Sequence, residues 1–504
     1  MSFTSWEYLV FLPTLALLTF CVPRRARPLL LLVGSYVFYT RHQATGALVL
    51  LAVTAIAYGV GRGLPRLAGG RRRALLTAGL VGCLGMLAYF KYAQLILSSL
   101  AALLRPADGG IDLLTDLLLP LGISFFTFQA CGYMIDVYRG KVPPEGDPIT
   151  FALFLSFFPL VLSGPIERAG NLLPQLRAAP SFRYDDVVAG LRQVLFGLFK
   201  KVVIADMLGA YVNPIFNNLD DGGYRGQTLA LAAAAYTIQI YCDFSGYSDI
   251  AIGSARILGY RLRDNFNMPY FSGSFTEFWA RWHISLSTWF RDYLYIPLGG
   301  NRGGLARKCN NLLIVFAVSG LWHGADWKFL IWGLIHGVFR VAEEIRDRAR
   351  GVEQHASELA RERRRHPPIL GSLVVFVGAT VAWVFFRANS LSDAVHVLWR
   401  MLHPEPWRRT WEVIHEVISV SLLPSQTTVR MWLVIVGLAL IYLFVSELII
   451  YARQAPREPY TPLAYRTAAV RWVHYIVLTV AVIWCWLLQS GAVGQSGEFI
   501  YFKF

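Results

Sequence analysis

Apolar and polar positions fall into long blocks along this chain instead of alternating. The runs TSWEYLVFLPTLALLTFCV, ATGALVLLAVTAIAYGV, VRMWLVIVGLALIYLFVSELII and RWVHYIVLTVAVIWCWLL each approach the length that crosses a bilayer, which is about 20 residues for a helix. The pattern predicts an all-α polytopic membrane protein. Between the runs stand short loops rich in arginine, and under the positive-inside rule these loops set the orientation. Arg24, Arg25 and Arg27 follow the first run and place it with an outside N-terminus. No basic residue precedes that run, Glu7 lies inside its start and PRRARP follows it, so a retained span is expected rather than a cleaved signal.

Arg62, Arg66 and Arg71 to Arg73 return the chain to the inside, residues 74–96 cross outward, and LLPLGISFFTFQACGYMIDVY comes back to a loop bearing Arg139 and Lys141. The middle is less regular. FALFLSFFPLVLSGPIER is short and interrupted by Pro159, Gly164 and Pro165, as a re-entrant segment would be. DDVVAGLRQVLFGLFKKVVIADML reads as amphipathic and partly interfacial, with Lys200 and Lys201 in its midst. The run 310–342 can make two spans only by bending, and Gly320, Gly324 and the WHGADW cluster mark the bend. In all, about eleven membrane helices and one integral-membrane domain over 1–504 are expected. N-terminal spans fill 1–119, a motif-bearing core 120–342, a cytoplasmic basic arm 343–368, further spans 369–490 and an extracytoplasmic tail 491–504.

Composition agrees with this reading. Of 504 residues, 55% are hydrophobic and 16% charged, against roughly 25% charged in soluble domains. The net charge of +15 would suggest nucleic acid in a soluble protein, but these arginines sit in membrane-flanking loops, so nucleic-acid binding is set aside. Six scattered cysteines show no CxxC or zinc-like spacing, and no metal site is expected.

Three clusters hold the candidate chemistry. SGLWHGADWKFLIWGLIHG carries His323 and His336. On one continuous helix these would lie about 20 Å apart and on different faces. His336 reads as a packing residue near a span end. His323, in the expected bend, is an ionisable group at membrane depth with a pKa suited to proton transfer. From the residues alone, a catalytic or transport role and a satisfied core histidine both remain open for it. SFTEFWARWHISLSTWFRDYLYIPLGGNRGG holds Arg281, His283, Arg291, Asp292 and Arg302, a composition that an interfacial belt would also show. YCDFSGYSDIAIG brings Asp243 and Asp249 near a span, and capping or polar packing accounts for them as readily as binding.

These stretches, with SFFTFQACGYMIDVYRG and FFPLVLSGPIER before them, resemble in order the motifs of the prokaryotic membrane-bound O-acyltransferase family. The likeness is to the branch that O-acetylates extracytoplasmic polysaccharides such as alginate, peptidoglycan or cellulose. The resemblance covers most of residues 120–342. It implies a ring-like helical bundle around a tunnel, with His323 as the catalytic histidine and His283 as its companion. Asp326 stands where the family is not usually acidic and receives no role. The resemblance also implies a cytoplasmic thioester donor, acetyl-CoA by default and an acyl carrier protein as the alternative, with no bound cofactor. Arg281, Arg291 and Arg302 would meet the donor's phosphates. The terminal FIYFKF resembles an aromatic motif whose tyrosine, here Tyr501, relays the acyl group to an extracytoplasmic esterase-like partner, although Lys503 replaces a common glutamine. A bacterial inner-membrane location with both termini outside follows. The rival class is a transporter using His323 and the acidic residues as a proton relay; no internal repeat supports it.

Overall fold

The computed structural model describes residues 1–104, 119–219, 223–351, 367–422, 426–453 and 468–490, and among them every regular element is helical. Five of these helices are long and apolar enough to cross a membrane by length and composition: Gly46–Arg66, Gly69–Ala93, Ile369–Arg387, Val429–Ala452 and Ala468–Gln489, with Trp6–Cys21 apolar but shorter. Five is fewer than the eleven or so expected, for two reasons visible in the middle of the chain. Its helices are short, or they carry polar and charged side chains that are buried inside the protein.

The chain divides into two compact units, Met1–Leu191 with Ala251–Asp264, and Arg192–Ile250 with Asn265–Phe504. The first contains α1 (Trp6–Cys21), α2 (Arg27–Thr40), α3 (Gly46–Gly63), α4 (Gly69–Leu104), α5 (Ile123–Tyr138), α6 (Pro148–Ser156), α7 (Phe158–Val161) and α8 (Ala169–Ala178). The FALFLSFFPLVLSGPIER segment is broken as its prolines and glycine predict: α6 and α7 part at Phe157, whose backbone leaves the helical region at φ −49°, ψ 114°. Gln129 of α5 donates to the Phe154 carbonyl of α6 at 2.7 Å, which satisfies one of the acceptors freed by that break.

Next come α9 (Tyr184–Leu198), α10 (Asp206–Asn217) and α11 (Gly226–Ile257), with a π-helical stretch, Phe199–Ala205, joining α9 to α10. Here one expectation is corrected. Lys200 and Lys201 do not lie in an interface; they are 0% and 1% exposed. Lys200 pairs with Asp249 of α11, while Lys201 reaches Asp243 of α11 at 2.6 Å and Asp206 at 2.7 Å. The physical reason is charge matching, since a buried ammonium is tolerable only beside a carboxylate. Gly197 permits the close approach: a Cβ there would stand 2.7 Å from the Gly246 carbonyl oxygen of α11.

The second unit continues with α12 (Phe275–Arg281), α13 (Ile284–Phe290), α14 (Gly304–His323), α15 (Trp327–Ala349), α16 (Ile369–Arg387), α17 (Leu391–Met401), α18 (Trp407–Ser421), α19 (Gln426–Arg453) and α20 (Ala468–Ser490). The predicted bend in 310–342 is present. α14 ends at His323, Gly324 is extended, and Asp326 caps α15 by accepting from the Lys328 amide at 2.9 Å. The two arms of this hairpin pack backbone to backbone, with a Cβ on Gly333 placed 3.1 Å from the Gly320 Cα.

Candidate functional site

The segment that carries His283 is anchored at its start by side-chain caps. Ser274 accepts from the Glu277 amide at 3.1 Å, and Glu277 in return accepts from the Gly273 amide at 2.8 Å. Glu343 of α15 accepts the next two orphan amides, those of Phe275 at 2.6 Å and Thr276 at 2.9 Å. Arg340 stands beside Glu343 at 3.0 Å. The helix start is therefore held by the same helix that leaves the WHG turn.

α12 stops at Arg281, and His283 adopts a left-handed backbone, φ 41°, ψ 54°, before α13 begins. A non-glycine residue there is uncommon, and such conformations gather at functional sites. The segment around Asn265 overdetermines it. The Asn265 carbonyl accepts from the Ile284 amide at 2.8 Å, and the Asn267 amide donates to the Arg281 carbonyl at 2.9 Å. The Asn265 side chain accepts from the Ser285 hydroxyl at 2.8 Å, and the His283 Nδ1 lies 3.0 Å from the same oxygen. Neither Asn265 nor Ser285 was singled out from the sequence, because both act through polar contacts that link residues twenty positions apart. The unusual backbone at His283 likewise leaves no mark in a sequence.

His283 is 0% and His323 3% exposed, and their ring centres lie 6.5 Å apart. Burial alone pushes the His283 imidazole down to about 3, so the ring is neutral at physiological pH. In an unfolded chain it would titrate near its ordinary value, so folding gains nothing from protonating it. This contribution to stability is present above the unfolded value of about 6.5 and is lost as pH falls towards the folded one. The His323 ring meets Trp322 and Trp332 edge-on at 4.9 Å each, with Phe386 at 5.5 Å. Trp332 touches His336 on its other side at 5.1 Å. His336 itself is fully buried among aromatic rings, among them Trp279 at 5.0 Å and Phe278 at 6.2 Å. That cage fits the packing role expected for it.

The three arginines differ in their surroundings. Arg281 is half-buried against Glu277 at 2.8 Å, Arg291 pairs with Asp292 at 2.9 Å, and Arg302 is exposed. Asp243 and Asp249 serve the buried lysines, as the structural reading of that motif anticipates. Tyr501 and the tail that bears it lie outside the described residues. Two buried imidazoles close together in an apolar enclosure can pass a proton and hold a hydroxyl.

Comparison with known proteins adds a second line. A model of the membrane-bound O-acyltransferase family matches residues 145–351. The chain is 41% identical over 419 residues to the probable alginate O-acetylase AlgI of Pseudomonas aeruginosa, covering 82% of this chain and 76% of that protein. It is 35% identical over 514 residues to the probable alginate O-acetylase AlgI of Pseudomonas putida, covering 100% of both. It is also 35% identical over 361 residues to the peptidoglycan O-acetyltransferase of Helicobacter pylori, covering 65% of this chain and 64% of that one.

Proposed function

Given that the chain belongs to the membrane-bound O-acyltransferase family and is an O-acyltransferase of the multi-pass membrane type, we propose that it carries acetyl groups across a bacterial inner membrane for O-acetylation of an extracytoplasmic polysaccharide. Alginate and peptidoglycan are the acceptors that its relatives' names supply; cellulose is a third polymer of the same class. The observation that carries the reading is the pair His283 and His323, buried 6.5 Å apart within the stretch that the family model matches.

In this reading the thioester donor arrives from the cytoplasm as acetyl-CoA, or as the thioester of an acyl carrier protein. His323 takes the proton of an attacking hydroxyl as its oxygen bonds to the acyl carbon. The carbon–sulfur bond then breaks, and the thiolate recovers that proton to leave as a thiol. Arg281, Arg291 and Arg302 offer the donor's phosphates planar, permanently charged partners. Tyr501 supplies the first acceptor hydroxyl, and an esterase-like transferase outside moves the acetyl group on to the polymer. Both termini then lie outside, and the helices form the ring and tunnel implied by the motifs. A transporter is set aside, because the family is one of transferases.

The test uses full-length protein purified in detergent and incubated with acetyl-CoA. His323→Ala is expected to reduce acyl transfer by about 10²- to 10⁴-fold, the usual contribution of a general base, at normal yield. Tyr501→Phe is expected to abolish the acyl adduct on the C-terminal peptide seen by intact-mass analysis. Near-normal transfer in His323→Ala would refute the assignment. An adduct surviving in Tyr501→Phe would remove the relay alone.

A further inference from the structure

The side chain of Asn265, 0% exposed, touches four polar atoms. Its Oδ1 lies 3.3 Å from the Ser285 amide nitrogen, 2.8 Å from the Ser285 hydroxyl and 3.0 Å from the His283 Nδ1. Its Nδ2 donates to the Ser248 hydroxyl of α11 at 3.2 Å. The Ser285 backbone amide can only donate, so the atom facing it must be the amide oxygen and not the amide nitrogen. That fixes the orientation of the whole Asn265 side chain. An oxygen at that position can only accept, so the His283 nitrogen 3.0 Å from it must carry a hydrogen. A neutral imidazole holds one hydrogen. With Nδ1 protonated, Nε2 keeps a lone pair and can receive a hydrogen bond but cannot give one.

We propose that Asn265 is a positioning residue for acyl transfer: it locks His283 as the Nδ1–H tautomer, so that Nε2 accepts the hydrogen of a hydroxyl and cannot act as a donor to an oxyanion. The inference rests on the reading that His283 belongs to the transfer site. Three further observations agree with it. The left-handed backbone of His283 turns its ring back towards Asn265, and the Ile284 amide bond to the Asn265 carbonyl holds that turn. Ser248 ties the amide to α11, so the lock is braced from a second helix. The separation of the two imidazoles, 6.5 Å between ring centres, is too long for a direct bond between their nitrogens, so any proton passing between them needs an intervening group.

Phe244 of α11, Phe266, Trp322 and His323 pack around the His283 ring. The nearest carboxylates along α11 from Ser248, those of Asp243 and Asp249, are paired with Lys201 and Lys200. A ring so deeply buried is a weak base, which suits it to orienting a hydroxyl while His323 takes the proton.

Two measurements on the full-length protein test this. Nitrogen-15 NMR of histidine-labelled wild type, with the His283 signals identified by their loss in His283→Gln, is expected to show Nδ1 protonated and Nε2 bare. The opposite tautomer would overturn the proposal whatever the activity data say. The second measurement is the pH profile of acyl transfer. Asn265→Asp keeps the accepting oxygen and adds a negative charge, which favours the imidazolium, so the acid limb is expected to move to higher pH. Asn265→Ala is expected to lower kcat by about 10- to 100-fold, the range for partners that orient a catalytic ring, with KM for acetyl-CoA unchanged. A purely structural role would lower yield without moving the acid limb, and an Asn265→Asp profile that coincides with wild type overturns the inference. If His283→Gln transfers acetyl normally, the functional reading of His283 fails instead, and the NMR still reports the tautomer on its own.

Discussion

Replacing Lys200 by methionine isolates the cost of an unpaired charge in this protein. The Lys200 ammonium is 0% and the Asp249 carboxylate 3% exposed. Lys200 also donates to Ser245 at 3.2 Å and stands 5.1 Å from the Phe196 ring, while Asp249 accepts from Gln193 at 3.4 Å. Methionine keeps most of the volume and the contact with Phe196. What it removes is the only cation paired with Asp249 among the described residues. Leaving one partner of a buried ion pair alone costs about 3–5 kcal/mol, whereas a lost neutral hydrogen bond such as that to Ser245 costs about 1 kcal/mol. The electrostatic part therefore dominates, and the folding equilibrium should fall by roughly 10²- to 10⁴-fold. The double variant Lys200→Met/Asp249→Leu removes both charges, and a well-packed apolar pair is often neutral or better than the ion pair it replaces. The expected order of thermal stability in detergent, followed by tryptophan fluorescence and by monodispersity after heating, is wild type and double variant together, with Lys200→Met well below. A double variant no more stable than the single one would refute the reasoning, since the penalty would then lie in lost packing and not in the stranded carboxylate.

Gly320→Ala should unfold at a lower temperature by the equivalent of about 1–3 kcal/mol, the usual cost of overpacking. The new Cβ would run into the Phe329 carbonyl of α15 and stand 3.3 Å from the Gly333 Cα, and an unchanged unfolding curve would show that the hairpin can spread freely. Arg291→Glu with Arg302→Glu should raise KM for acetyl-CoA about 2- to 5-fold, as one or two exposed ion pairs at 0.2–1 kcal/mol would, and make it more sensitive to salt. An unchanged KM at low and high salt would remove this face as the donor's entrance.

Much of the fold is legible in the sequence because hydrophobic blocks and chain breakers act locally. The bend at WHGADW, the break at Phe157 and the long apolar helices at Ile369–Arg387 and Val429–Ala452 all follow from such signals. The two histidines could be named from their motifs, but only the hairpin and the left-handed turn bring their rings together. Lys200 and Lys201 show why the rest was hidden. Adjacent side chains on a helix diverge by about 100°, so two neighbouring lysines suggest a wet face. Their partners, Asp249 and Asp243, are more than forty positions away and about 9 Å apart along their own helix, which is what lets the diverging lysines both find a carboxylate. Asn265 is hidden for a different reason: it is an ordinary polar residue in a loop, and its importance lies wholly in which way its amide faces.

Glu343 has a consequence beyond the helix start that it holds. By gripping the first amides of α12 from α15, it mounts the chain leading to His283 and the chain leaving His323 on one bracket, about seventy residues long. The gap across which the two rings cooperate is thus framed in part by one local link, to which Asn265 adds a hold on His283 and Phe386 of the Ile369–Arg387 helix a wall against His323. A shift of a single turn inside the bracket would be felt at both rings at once.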